Sequence, residues 1–223
     1  MSARAAAPVP PRGVPDKRRA ILDAALRLVA RSGLHDAPMA ALAQEAGVGA
    51  GTVYRYFPSK EALINALYLE LLAERDRTSR GEAAPAPGGA LGALGALGTP
   101  AEARAPRELL WAAWQGLARW HLDHPEASNF IQQCRATGIL TAETRAAEQQ
   151  LEASGVAEFD RGVARGLMRP MSRQVFYALF AGPIAQLVQM RDAGELAVDE
   201  VVLRATFDGV CRSVLPPSGA REP

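Results

Sequence analysis

The 223-residue chain is 48% hydrophobic and 22% charged, enough apolar material for one large core or two modest ones. Its two cysteines, Cys134 and Cys211, exclude a disulfide framework, and no uninterrupted apolar run is long enough to cross a bilayer. The first residues, MSARAAAPVPPRGVPDKRR, carry no apolar stretch ahead of a cleavage site, so the expected compartment is the cytoplasm, with no membrane partner. The net charge of +1 hides an asymmetry: residues 1–60 hold nine Lys/Arg against four Asp/Glu, and the remainder holds sixteen against twenty. A basic first quarter on a mildly acidic body points to an anion-facing segment joined to a different kind of domain.

Residues 1–15, rich in Ala, Pro and Arg, predict a disordered basic arm. From Asp16 a helix begins, with Ile21, Ala24, Ala25, Leu28 and Val29 on one stripe and Gly33 as its C-terminal stop. Pro38 suits the first turn of a second helix whose Met39, Leu42, Ala43 and Ala46 face inward and which Gly47 closes. A short third helix follows, from about Gly51 to Phe57. Pro58-Ser59 breaks it, and Ser59 caps a fourth helix reaching about Arg77. This first domain covers 16–78. Residues 79–106, with a Gly-Ala-Leu triplet repeated three times, read as a flexible linker. Helices are then expected over about 107–124, 126–137, 142–167, 172–193 and 198–214, forming a second domain over 107–215 before a short tail at 216–223. No stretch alternates convincingly as a strand, so the fold class is all-α, an N-terminal helix-turn-helix domain plus a C-terminal helical domain.

The run GVGAGTVYRYFPSKEAL, Gly47–Leu63, places three glycines at alternate positions before a group of aromatics. A phosphate-binding glycine loop needs a strand before it, a long helix after it and, in the P-loop form, a Lys-Ser/Thr pair; this run has none of these. Helix, glycine turn and short helix instead make a helix-turn-helix over about 39–57, whose second helix enters the DNA major groove. Val53 and Phe57 are expected to point back into the domain, while Thr52, Arg55 and Tyr56 share the opposite face with Tyr54 on its flank. Two phenols, a hydroxyl and a guanidinium can donate to phosphate oxygens, and arginine can pair bidentately with guanine. Gly49 and Gly51 allow a close backbone approach, and Lys60 reaches the DNA backbone from the side.

The stretch AALAQEAGVGAGTVYRYFPSKEAL, with RRAILDAALRLVARSGLHDAPM before it, resembles the DNA-binding domain of the tetracycline-repressor (TetR) family across residues 16–75. The resemblance implies a homodimeric, ligand-responsive regulator, usually a repressor, acting on a palindromic operator in double-stranded DNA. By that resemblance the DNA-facing positions are Gly49, Ala50, Gly51, Thr52, Tyr54, Arg55, Tyr56 and Lys60. The chain departs from the pattern at Gly49, where a serine is common, and at Ala50, where a lysine is common. Pro38 also replaces a usual capping Thr or Ser. Arg55, or the arm residues Lys17, Arg18 and Arg19, can compensate for the lost lysine contact.

In the second domain, Trp111, Trp114, Trp120, Phe130, Met168, Phe176 and Phe180 are candidates to line a pocket for an unidentified small-molecule effector, with Gln132, Gln133 and Arg135 as polar anchors. Tryptophans at helical spacing are more often core than pocket. Ala178, Ala181 and Ala185 with Val201, Val202 and Ala205 are candidates for a dimer seam of two helices per subunit. His121 and His124 share a helix face but lack the further ligands a metal needs, so neither a metal nor a cofactor is expected. An activator or chromosome-organising protein on the same scaffold is the alternative function. An enzyme is a remote one, because no convergent acid, base or nucleophile set is present.

Overall fold

The computed structural model describes residues 16–80 and 106–217. The expected basic arm, nearly all of the Gly-Ala-Leu linker and most of the tail lie outside these residues. Among the described residues there is no strand. The helices are α1 (Lys17–Ser32), α2 (Met39–Glu45), α3 (Ala50–Tyr56), α4 (Lys60–Arg80), α5 (Pro106–Asp123), α6 (Pro125–Ala136), α7 (Ala142–Ala164), α8 (Arg173–Asp192) and α9 (Glu200–Val214). The chain divides into two compact units, Met1–Leu63 and Ile64–Pro223, so the boundary falls inside α4. Leu63 is fully buried in the first unit. From Asn65 onward α4 is tied into the second: the Asn65 side chain donates to the Ile139 carbonyl at 3.1 Å and accepts from the Thr141 N–H at 3.0 Å.

Local chemistry sets most helix ends. Asp16, Ser59, Thr141, Ser172 and Asp199 each place a side-chain oxygen on a backbone N–H of the helix they start. Asp199 caps α9, which therefore begins at Glu200, two residues after the expected start. Gly33 closes α1 at φ 81°, a left-handed conformation that favours glycine. Pro125 opens α6 at its first position, where a missing N–H costs nothing. Pro38 stands just outside α2 in extended conformation, so it precedes the helix and does not occupy its first turn.

The first unit packs Ile21, Leu22, Ala25, Val29, Leu42, Val53 and Phe57 into one small core. Two arginines of α1 fasten α2 to it: Arg27 Nε and Arg31 Nη2 donate to the Glu45 carboxylate at 3.1 and 2.7 Å. These hydrogen bonds, Arg27's first, hold the Glu45 carboxyl below its usual range.

The second unit has a core of Trp114, Phe159, Met168, Phe176, Phe180, Ile184, Phe207 and Val210, drawn from α5, α7, α8, α9 and the turn between α7 and α8. Burying so many large apolar side chains is the main stabilising term of this unit. Both thiols are buried in it, and burial pushes Cys134 up to about 12 and Cys211 upward as well.

Candidate nucleic-acid interface

The short helix α3 sorts its side chains as its spacing requires. Val53 and Phe57 turn inward and are buried, while Arg55, Tyr54 (53% exposed) and Tyr56 (38%) face solvent and Thr52 is half-buried. The hydroxyls of Thr52, Tyr54 and Tyr56 have no hydrogen-bond partner among the described residues, and Arg55 only stacks on Tyr56, 5.2 Å from the ring centre. Two phenols this far in water on one helix turn bury only part of their apolar surface, so the packing of their own unit does not fully explain them. A partner that takes hydrogen bonds and aromatic contact does.

The three glycines have different reasons to be there. Gly47 sits at φ 63°, the left-handed turn that redirects the chain from α2 toward α3. Gly49 and Gly51 have ordinary backbone conformations, and a Cβ added at either would meet nothing within 4 Å. The fold of the unit does not need them. What they give is a bare backbone at the start of α3, beside exposed Ala50, where an approaching duplex can come close.

Lys60 is engaged within its own unit. Its ammonium donates to the His35 carbonyl at 2.8 Å, fastening the first residue of α4 to the turn between α1 and α2. An ammonium has three donors, so two remain for phosphate. Of the arm residues, Lys17 is exposed and Arg19 is paired with Asp23 at 2.8 Å. Arg18 lies over the Phe57 ring at 5.6 Å.

The candidate effector residues separate into two groups. Trp114, Met168, Phe176 and Phe180 belong to the main core of the second unit, with Trp111 against its edge. The polar edge of Trp114 is satisfied, since its indole N–H donates to the Phe180 carbonyl at 2.8 Å. Arg204 covers Trp111 at 3.7 Å. Trp120 and Phe130 are buried outside that core, and half-buried Gln133 donates to Asn129 at 3.2 Å. A single lining of all eight is therefore not what the packing gives.

Around the second group is a polar network that the sequence reading singled out only through Arg135. Arg135 Nε donates to the Tyr68 hydroxyl at 3.0 Å, its Nη1 to the Tyr177 hydroxyl at 3.1 Å and its Nη2 to Glu148, which also accepts from Tyr68 at 2.6 Å. Burial drives the Tyr68 phenol well above its ordinary range, and its bond to Glu148 acts the same way. His121 is likewise buried; its Nδ1 shares a hydrogen with the Ser128 hydroxyl at 2.8 Å. Burial first, and then the positive charges of Arg75 and Arg135, push His121 down to about 3, so it is neutral. His124 stacks on Trp120 and bonds its carbonyl, so both histidines of the HLDH run have structural work. Among the described residues no group of three or more His, Cys, Asp or Glu is placed to hold a metal ion, and no helix is long and apolar enough to cross a membrane.

Of the candidate seam, Ala178, Ala205 and Val201 (74% exposed) face solvent, joined by exposed Val175 and Gly182. Ala181 and Val202 are half-buried against their own core, and Ala185 is half-buried too. Val210 lies in that core.

Comparison with known proteins meets this geometry at its N-terminal end. Residues 21–67 match the family model for bacterial regulatory proteins of the tetR family. The repressor KstR of Rhodococcus jostii is 46% identical over 56 residues, 25% of this chain and 26% of that protein. The fatty acid metabolism regulator protein of Bacillus subtilis is 37% identical over 54 residues, 24% of this chain and 28% of its own length. The chain thus spans about a quarter of the length of these curated relatives. Over nearly the whole chain the likeness is one of fold. A TetR family transcription regulator from Marinobacter aquaeolei superposes with a TM-score of 0.75 at 24% identity, covering 89% of this chain and 95% of that one. A second, from Haemophilus influenzae, gives 0.66 at 18% identity, covering 90% and 97%. A helix-turn-helix matched at residue level and an all-α fold shared along the chain lead to one conclusion: residues 21–67 are similar to the tetR family of bacterial regulatory proteins, and the described residues share the fold of such regulators.

Proposed function

We propose that the protein is a homodimeric transcriptional repressor that binds a palindromic operator through α3 and leaves it when a small molecule binds the second unit. The observation that carries the DNA part is the solvent-facing set of Tyr54, Arg55 and Tyr56 with half-buried Thr52, whose hydroxyls have no hydrogen-bond partner among the described residues, beside two glycines that the fold does not require. A helix lying in the major groove uses such groups on phosphates and base edges. One short recognition helix reads a few base pairs, so specificity requires two of them on half-sites one helical turn or a multiple apart. The solvent-facing Val175, Ala178, Gly182, Val201 and Ala205 on α8 and α9 supply a self-complementary surface of small and apolar residues for that dimer. Repression is supported by the relatives that are repressors by name. The test is selection of bound sequences from random duplex DNA at a fixed salt concentration. A palindromic motif is the expected result, its half-site spacing giving the separation of the two α3 helices. No enrichment over non-specific binding would overturn the reading.

A further inference from the structure

The outward side of α3 holds a narrow choice of side chains. At about 3.6 residues per turn, Arg55 lies opposite the buried pair Val53 and Phe57, with bare Gly51 one turn before it. Ala50, Tyr54 and Tyr56 are exposed around that line and Thr52 is half-buried. Arg55 makes no ion pair among the described residues, and its stacking on Tyr56 leaves its N–H groups for an outside acceptor. No other residue of α3 carries a nitrogen donor, and none carries a carboxylate or a side-chain amide. The one side-chain amide between residues 16 and 63, Gln44, stands on α2. The carboxylates of that stretch lie elsewhere as well. Asp16 caps α1, Asp23 pairs with Arg19 and Glu45 holds Arg27 and Arg31, while Asp36 precedes α2 and Glu61 belongs to α4.

Each base shows a different edge in the major groove, and each edge suits a different side chain. Adenine is matched by the amide of Asn or Gln, cytosine by a carboxylate, guanine by arginine or lysine, and the thymine methyl by apolar carbon. Of the first two kinds α3 has nothing. For guanine it has one guanidinium, at the centre of its outward side. For thymine it has carbon: the methyl groups of Ala50 and Thr52, which Gly49 and Gly51 leave unscreened by neighbouring side chains. The two phenols flank Arg55, where the walls of a groove carry phosphates, so their hydroxyls position the helix and the residues between them read it.

We infer that α3 reads two bases of each operator half-site: a guanine through Arg55, and a thymine through its 5-methyl group, which packs on Thr52 and Ala50. This rests on the operator reading above and gives the operator its chemistry. The test takes the best duplex from the selection and binds the full-length protein to it at fixed salt, with single bases replaced. Deoxyuridine, which lacks only the methyl group, should weaken binding about fourfold at the contacted thymine. At the contacted guanine, 7-deazaguanine, which lacks the N7 acceptor, should weaken it about fivefold or more. The same change in adenine, 7-deazaadenine, keeps the base pair and should leave affinity unchanged. Thr52→Ser keeps the hydroxyl and removes the methyl, and Ala50→Gly removes the other methyl. At least one of these variants should bind the thymine and deoxyuridine duplexes alike. Equal binding of both duplexes by the parent, or discrimination that survives both substitutions, would overturn the methyl contact. Indifference to 7-deazaguanine would overturn the guanine contact. A penalty from 7-deazaadenine would overturn the two-base code and move readout to an amide, Gln44 on α2. Failure to obtain any preferred duplex would overturn the operator reading itself and this inference with it.

Discussion

The two units advertise function in opposite ways. In the first, the informative residues are at the surface and are conspicuous because the fold has no use for them: phenols in water and glycines with ordinary backbones. In the second, nearly every aromatic is used in packing, and the residues that stand out are polar ones turned toward each other, Arg135 with Tyr68, Glu148 and Tyr177. A surface that reads an outside partner is selected for what it leaves exposed. An internal joint is recognised by the partners it gathers.

The largest effect that would sharpen this contrast is Trp114→Ala. It opens a cavity in the second core and abandons the Phe180 carbonyl, so chemical denaturation should show a loss of about 3–5 kcal/mol. A loss below about 1 kcal/mol would mean that Trp114 lines an adaptable pocket and is not packed core. Next comes Arg55→Ala, expected to cost roughly 1–3 kcal/mol on the best operator and little on unrelated DNA. An equal loss on every sequence would reassign Arg55 from a base edge to phosphate.

The glycines make a paired test. Gly47→Ala, at φ 63°, should destabilise the protein by about 1 kcal/mol. Gly51→Val should leave melting nearly unchanged, since a side chain there meets open space, yet weaken operator binding. If Gly51→Val binds DNA as the parent does, close backbone approach at α3 is the wrong explanation for that glycine. Lys60→Ala should flatten the slope of log affinity against log salt by about one unit and slightly lower the melting temperature, as the His35 tether goes with it. An unchanged slope would leave Lys60 a tether only.

The smallest expected effect, near neutral pH, is titration of His121. The unfolded chain takes up this proton near 6.5, whereas the folded protein holds the ring neutral down to about 3. Its contribution to stability is therefore complete above 6.5 and is lost progressively as pH falls from 6.5 toward 3. Melting temperatures of the parent and His121→Asn, compared between pH 7 and 5.5, should fall more steeply for the parent. Parallel curves would mean that His121 is solvated.

Much of the first unit was legible because its signals are local. The left-handed Gly33, the Ser59 cap and the alternation of Val53 and Phe57 with Arg55 and Tyr56 are each set by residues within one turn. The second unit was legible as helices but not in its internal bonding. Helical spacing gives Trp114 and Trp120 the same score, and only the tertiary partner, a carbonyl for one and none for the other, tells them apart. Tyr68, Arg135 and Tyr177 lie far apart in sequence on α4, α6 and α8, with no spacing that links them. Of the residues expected on the seam, Ala178, Val201 and Ala205 face out, whereas Ala181 and Val202 lean on their own core, a difference that helical spacing alone does not resolve.

The two sequestered thiols have a practical consequence. With Cys134 and Cys211 both buried and protonated, a maleimide dye has no easy attachment point among the described residues. A cysteine placed at exposed Ala193, at the end of α8 and away from the DNA-facing positions of α3 in sequence, would then be the preferred labelling position. The protein is in this sense ready-made for single-fluorophore work, in which residence on DNA, with and without a candidate effector, is timed one molecule at a time.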